Sequence, residues 1–423
     1  MTHVCRRWRN VIFGSPQRLD LRLLCTNATP VRTSLGIWPP LPITISCKRM
    51  LWDGSSNVIA AFEHSNRISD VEIFDIIGSA LKNLLGMMRG PFPILRYFYL
   101  RSSHKSIPVV PETFLGGSKP RLETFMLSGI PFLSFPKFVF SAISIQFLSL
   151  CDIPNSGYIS PETMAICLAA LPNLIYLSIG FRSPRSRPIQ IGPLPLIRSV
   201  LPALARLIFH GVSKYLEEFV ARIDTPSLWQ LHVVYFMDPI FHIPRLHDFI
   251  QRTEGLMPCN QACMEFTSPA INIILGSRAQ FKMEIRCQRP DWQLSSMAQI
   301  FGQLLPLLSQ VEQLEIREGF WLEYSRWRDD PDMSPSLWLE LLHLFVAVWS
   351  LHVSEVLVPP IAVALQELGE GRTMEVLPAL QILSLEGLQQ AGCVQKVIQS
   401  FVTSRQLSGH PIVIETWERQ LTR

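Results

Sequence analysis

Leu377-Pro378-Ala379-Leu380-Gln381-Ile382-Leu383-Ser384-Leu385 reads P-x-L-x-x-L-x-L from Pro378 onward. Leu383 and Leu385 stand at i and i+2, so a strand puts both on one face. Pro378 fixes φ and lacks an N–H, which suits a bend into that strand. The pattern returns along the chain. With the first apolar position as marker, copies sit at Ile68, Leu95, Leu122, Ile145, Leu174, Leu204, Leu228, Val311, Val348 and Leu380. Proline stands two residues upstream at Pro93, Pro120, Pro172, Pro202, Pro226 and Pro378.

Helical spacing precedes several copies: 162–171 before Leu174, 197–201 before Leu204, 215–223 before Leu228, 295–308 before Val311 and 337–346 before Val348. Helix, turn, proline and strand in series is the unit of a leucine-rich repeat with a helical outer face, whose period is about 20–29 residues. The first seven markers are 27, 27, 23, 29, 30 and 24 residues apart, so the array is irregular. The expected fold is α/β: an irregular leucine-rich-repeat-like solenoid over 21–423, with parallel strand rungs, helices on the outer face and a short helical N-terminal cap over 1–20. In the long gap after Leu228, Met264 with Phe266 and Met283 with Ile285 match the last two apolar positions and predict two degenerate rungs. Upstream, Leu19, Leu21, Leu23 and then Ile43 and Ile45 alternate as strands, 55–65 reads as a short helix, and 413–417 predicts a final edge strand.

Composition supports a large buried core. Apolar residues make up 48% and charged residues 17% of 423, which argues against disorder. A net charge of +4, from 38 basic and 34 acidic residues, is too balanced for nucleic acid or an anionic membrane as main partner. Nine scattered cysteines read as reduced thiols and predict a cytoplasmic or nuclear protein. The apolar stretches 126–151 and 341–354 are broken or too short for a span, which needs roughly 20 apolar residues.

At the N-terminus, Val4, Trp8, Val11 and Ile12 fall on one face of a short helix that Gly14 and Pro16 stop. The segment V-C-R-R-W-R-N-V-I-F-G-S-P-x-R-L resembles the C-terminal part of an F-box. The stretch from Leu21 to Ile45, and the chain on through the rungs, resembles F-box proteins of mushroom-forming fungi. The resemblance implies a substrate-recognition subunit of a cullin–RING (SCF-type) ubiquitin ligase. Val4, Cys5, Trp8, Val11 and Ile12 would then contact the ligase adaptor subunit, and the repeats would hold an unknown protein substrate. The F-box is expected to be truncated on its N-terminal side. The alternative expectation is a free-standing repeat scaffold or decoy without ligase docking.

Catalytic motifs are missing. There is no phosphate-binding G-x-x-x-x-G-K-[ST], no G-x-G-x-x-G after a strand, no H-E-x-x-H and no G-x-S-x-G. Cys259 and Cys263 with His242 and His247 come nearest to a metal set, but their spacing matches no common zinc module. The expectation is a non-enzymatic protein without cofactor or metal. The positions between and after the last two apolar residues of each rung point away from the core. On that concave face the candidate partner-binding residues are Tyr99, Arg101, His210, His232, Glu315, Arg317 and Glu386. A second candidate is the loop 317–335, with Phe320, Trp321, Tyr324 and Trp327 among its charges.

Overall fold

A computed structural model describes residues 11, 21–26, 29–48, 55–76, 78–103, 107–117, 121–184, 197–236, 241–257, 260–267, 270–276, 280–287, 289–319, 335–368, 372–387 and 392–416. The chain divides into two compact units, Met1–Leu207 with Arg222–Ser227, and Ile208–Ala221 with Leu228–Arg423.

The strands of the first unit are β1 (Arg22–Leu24), β2 (Ile43–Lys48), β3 (Ile68–Phe74), β4 (Tyr97–Arg101), β5 (Thr124–Ser128), β6 (Phe147–Ile153) and β7 (Tyr176–Phe181). They pair in chain order, and every pairing is parallel. Parallel neighbours need long crossovers, and the helices Ser55–Phe62, Gly78–Met87 and Pro161–Ala169 lie in them. The last is well started: Pro161 is its first residue, and the Ser160 hydroxyl accepts from the Thr163 N–H at 3.2 Å. Gly129 closes β5 at φ +77, where a Cβ would meet the Ser102 carbonyl oxygen at 2.1 Å. Only glycine fits there.

Every rung marker from Ile68 to Leu380 is buried, as are the next two apolar positions of each rung, such as Phe98 and Leu100 or Leu383 and Leu385. The expected fold class is the observed one: mixed α/β, with mostly parallel rungs and helices between them. The first unit's interior is aromatic. Phe125 stacks on Phe98 at 5.4 Å and meets Phe138 at 4.7 Å, while Phe114 and Phe132 pack edge-on around them. Such contacts add about 0.5–1.5 kcal/mol per pair beyond area burial.

The expected helix over 197–201 is corrected. It forms β8 (Ser199–Val200), which precedes β9 (Arg206–Gly211) and pairs in parallel with β10 (Ile223–Asp224). Five residues cannot offset helix nucleation alone. Here the N–H groups of Ser199 and Leu201 instead reach the carbonyls of Arg222 and Asp224, both at 2.8 Å.

The second unit continues with β11 (Gln230–Tyr235), β12 (Gln261–Phe266), β13 (Ala270–Leu275), β14 (Phe281–Arg286), β15 (Gln313–Glu318), β16 (Ser350–Val353), β17 (Ile382–Leu385) and β18 (Val413–Thr416). Their order is β11-β14-β13-β12-β15-β16-β17-β18, with β13 antiparallel to both neighbours. The two expected degenerate rungs are β12 and β14, but they are the outer strands of a three-stranded meander. The middle strand, Ala270–Leu275, is an addition to the expectation. Connection length explains it. Three residues separate Phe266 from Ala270 and five separate Leu275 from Phe281. A parallel crossover needs a dozen or more, so the chain must fold back. Thr267 closes the first hairpin, its N–H and Oγ1 donating to the Ala270 carbonyl at 2.8 and 2.7 Å. The expected edge strand is β18, parallel to β17.

The nonapeptide 377–385 is held from a distance. Arg405, in helix Gly392–Leu407, is fully buried. Its NH2 donates to the carbonyls of Leu377 (3.2 Å), Pro378 (3.0 Å) and Leu380 (3.4 Å), and its NH1 to that of Thr373 (3.3 Å). One guanidinium thus serves the carbonyls of the proline bend, of which that of Leu377 also accepts the Leu380 N–H at 3.0 Å.

Candidate functional site

A strand that buries alternate residues shows the others. Parallel register lines these up in rows. In the first unit, one row runs Thr44, Asp70, Tyr97, Thr124, Phe147, Tyr176, and the next runs Ser46, Glu72, Tyr99, Met126, Ser149, Ser178. Asp70, Glu72, Tyr97, Tyr99, Thr124 and Met126 are half-buried and Phe147 is exposed. The Tyr99 ring lies 4.8 Å from Phe74, and Phe147 lies 6.2 Å from Tyr176. Burial pushes the phenols of Tyr97, Tyr99 and Tyr176 up, and Glu72, Tyr99 and Asp70 push Tyr97 further the same way. They stay neutral hydrogen-bonding groups at physiological pH. Asp70 Oδ2 accepts from Thr44 Oγ1 (3.2 Å) and Ser69 Oγ (2.5 Å), and Glu72 Oε2 accepts from Ser46 Oγ (3.2 Å).

The second unit's rows are different. One runs His232, Lys282, Ile274, Cys263, Glu315, His352, Ser384, Glu415, and the next runs Val234, Glu284, Asn272, Glu265, Arg317. Arg317 bridges its neighbours, with NH1 to Glu315 Oε1 at 3.0 Å and NH2 to Glu265 Oε1 at 3.3 Å. Burial works against its charge, but Cys263, Glu315 and Glu265 outweigh it and raise the guanidinium above its ordinary value. Asn272 Nδ2 donates to Glu265 Oε2 at 3.3 Å, and Arg286 pairs with Glu284 at 3.1 Å. A shallow cavity of about 300 Å³ opens here, lined by Gln261, Cys263, Gln313, Glu315 and His352 among others. Burial lowers the His352 imidazole against the pull of Glu315 and Glu415. Burial and then Lys282 lower that of His232 against Glu284. Both are neutral near pH 7.

Of the residues named from sequence, Tyr99 and Arg101 lie together on β4, and Glu315 and Arg317 together on β15. His210, on β9, lies 4.6 Å from Phe236 with the ring planes tilted by 46°. His232 faces Lys282 across the β11–β14 pairing. Glu386, just past β17, accepts from the Glu355 N–H at 3.3 Å. Phe320, Trp321, Tyr324 and Trp327 lie outside the described residues, as do Val4, Cys5, Trp8 and Ile12; Val11 is exposed. The row of Asp70, Tyr97, Phe147 and Tyr176 does not emerge from the sequence pattern as read above. Its signal is present all the same: β4 to β7 each start two residues after their markers and β3 starts on its own, and in all of them the marker-plus-two position shares the open face.

Among the described residues, no group of three or more His, Cys, Asp and Glu could hold a metal ion. Cys263, His242 and His247 are within that statement, while Cys259 is outside it. The described cysteines are free thiols. Burial pushes Cys25 up to about 12 and Cys167 up to about 11, so neither offers a thiolate. Among the described residues no helix is long and apolar enough to cross a membrane.

No family model matches the sequence. No curated protein matches it either. Among solved structures, the chain is similar to the leucine-rich repeat-containing protein LegL7 from Legionella pneumophila, at 10% identity over 93% of this chain and 99% of that one, with a TM-score of 0.30. The class of the fold, leucine-rich-repeat-like rungs in a mixed α/β chain, is defined by this chain's own strand pairing and buried markers.

Proposed function

We propose that the protein is a non-enzymatic recognition module that binds a protein partner on an open sheet face. The observation behind this reading is the partly exposed stripe of Phe74, Tyr97, Tyr99, Phe147 and Tyr176 in the first unit. Tyrosine gives a large, rigid and amphipathic contact area, and aromatic residues are enriched where protein interfaces are most buried. The absence of catalytic motifs from the sequence agrees with binding rather than turnover.

The finer reading is that of a substrate-recognition subunit of a cullin–RING ubiquitin ligase. It is supported by the V-C-R-R-W segment and its junction with the rungs. Such a subunit acts by raising the effective concentration of substrate near the ligase. The test is a pull-down of a purified cullin–RING adaptor subunit by the full chain. Capture lost on Trp8→Ala supports ligase docking. No capture, with the chain folded, overturns it and leaves the free-standing module.

A further inference from the structure

Asp70 and Glu72 stand two apart on β3, so their carboxylates share one face about 7 Å apart. Tyr97 and Tyr99 face them directly from β4, about 4.8 Å away between strand axes. Each carboxylate is tied at one oxygen only, Asp70 at Oδ2 and Glu72 at Oε2, and only by hydroxyl groups. Asp70 Oδ1 and Glu72 Oε1 accept no hydrogen bond, and neither residue makes an ion pair, among the described residues. Arg101, two residues further along β4, pairs with Asp75 at 3.8 Å and reaches the Tyr99 hydroxyl rather than either of these carboxylates. Two half-buried carboxylates therefore lie beside two phenol rings without an ion-pair partner among the described residues, in a chain whose net charge is +4.

We propose that Asp70, Glu72, Tyr97 and Tyr99 form a receptor for an arginine side chain carried by an extended segment of a partner protein, which rests on the reading of this face as a docking surface. Four features select arginine. Each carboxylate has one oxygen free, and a guanidinium, with five N–H donors spread round a plane, can donate to both at once. Its planar cation stacks on the tyrosine rings, whose faces are electron-rich. It is more weakly hydrated than an ammonium, so half-buried surroundings penalise it less. A metal ion is disfavoured, because no adequate group of metal ligands occurs among the described residues. The hydroxyls of Thr44, Ser46 and Ser69 hold the carboxylates in place before the cation arrives, so little side-chain freedom is lost on binding.

The experiment is a selection of random displayed peptides on the full chain, followed by dissociation constants for the enriched peptides. The expected sequences share an arginine. Arg→Gln in the peptide and Asp70→Asn with Glu72→Gln in the chain should each weaken binding at least about tenfold, and combining them should weaken it no further. Both chain substitutions are nearly isosteric and keep an oxygen for the hydroxyl donors, and thermal unfolding checks that the variant folds. Peptides that bind the substituted chain as tightly as the original overturn the proposal. The Tyr99→Ala chain then separates the two levels. If it weakens those peptides, the docking face stands and only the arginine receptor falls. If it leaves them unchanged, both fall.

Discussion

The two units present similar rungs and treat charge in opposite ways. In the first, the buried polar residues among those described are serines and Thr225, and the interior is a packed group of phenylalanines. On its open face Asp70 and Glu72 make no ion pair among the described residues. In the second, Glu217, Glu218, Arg405, Asn272 and Gln293 are buried, and the open face is crossed by ion pairs through Arg317 and Arg286. A face whose charges are already paired must break those contacts to bind anything charged. A face with unpaired charges has that interaction to give. A shared repeat therefore does not mean a shared role, because the backbone is set by the leucines and the role by what lies between them.

Breaking the aromatic interior should have the largest effect. Phe125→Ala should lower stability by about 4 kcal/mol, read from the urea midpoint. Amide exchange should rise in the first unit's strands rather than the second's. Next is the buried guanidinium of the second unit. Arg405→Leu should cost about 3 kcal/mol, because the carbonyls of Thr373, Pro378 and Leu380 lose their guanidinium donor and that of Leu377 keeps only the Leu380 N–H. Arg405→Lys should recover only part of this, since one ammonium cannot reach them all.

Glu217 sharpens the contrast through pH. Its carboxyl accepts from the N–H groups of Arg245 and Leu246, both at 2.8 Å, at the start of helix Pro244–Gln251. Burial pushes it up from 4.5 to about 7, against those two donors and Arg245. A carboxyl raised in the folded state binds its proton more tightly there than unfolded. Its contribution is therefore full below pH 4.5 and is lost as pH rises through about 7. Stability should fall by about 3 kcal/mol across that window, and Glu217→Gln should remove that part of the dependence. The smallest effects lie on the faces. Arg317→Ala should cost about 1–2 kcal/mol, discounted for its partial exposure. Asp70→Asn with Glu72→Gln should change stability by less than about 0.5 kcal/mol.

Much of the fold was legible because the repeat is local. Pro378, Leu380, Leu383 and Leu385 lie within eight residues, and spacing alone places them on one side of a strand. The hidden contacts act across long stretches of sequence. Arg405 meets Leu377 from 28 residues away, and Glu217 meets Leu246 from 29. The Ala270–Leu275 strand is apolar but for Asn272 and shows no alternation, so only its short connections betray it. The face was half legible. Tyr99, Glu315 and Arg317 follow from the pattern, but nothing local says that Arg317 is already engaged and Glu72 is not.

That difference in engagement is open to direct measurement. The dissociation constant of a selected arginine-bearing peptide should be compared between two double variants, Asp70→Asn with Glu72→Gln and Glu265→Gln with Glu315→Gln. A receptor on the first unit's face requires a loss of at least about tenfold for the first variant and a change within about twofold for the second. The reverse order, or equal losses, would contradict it.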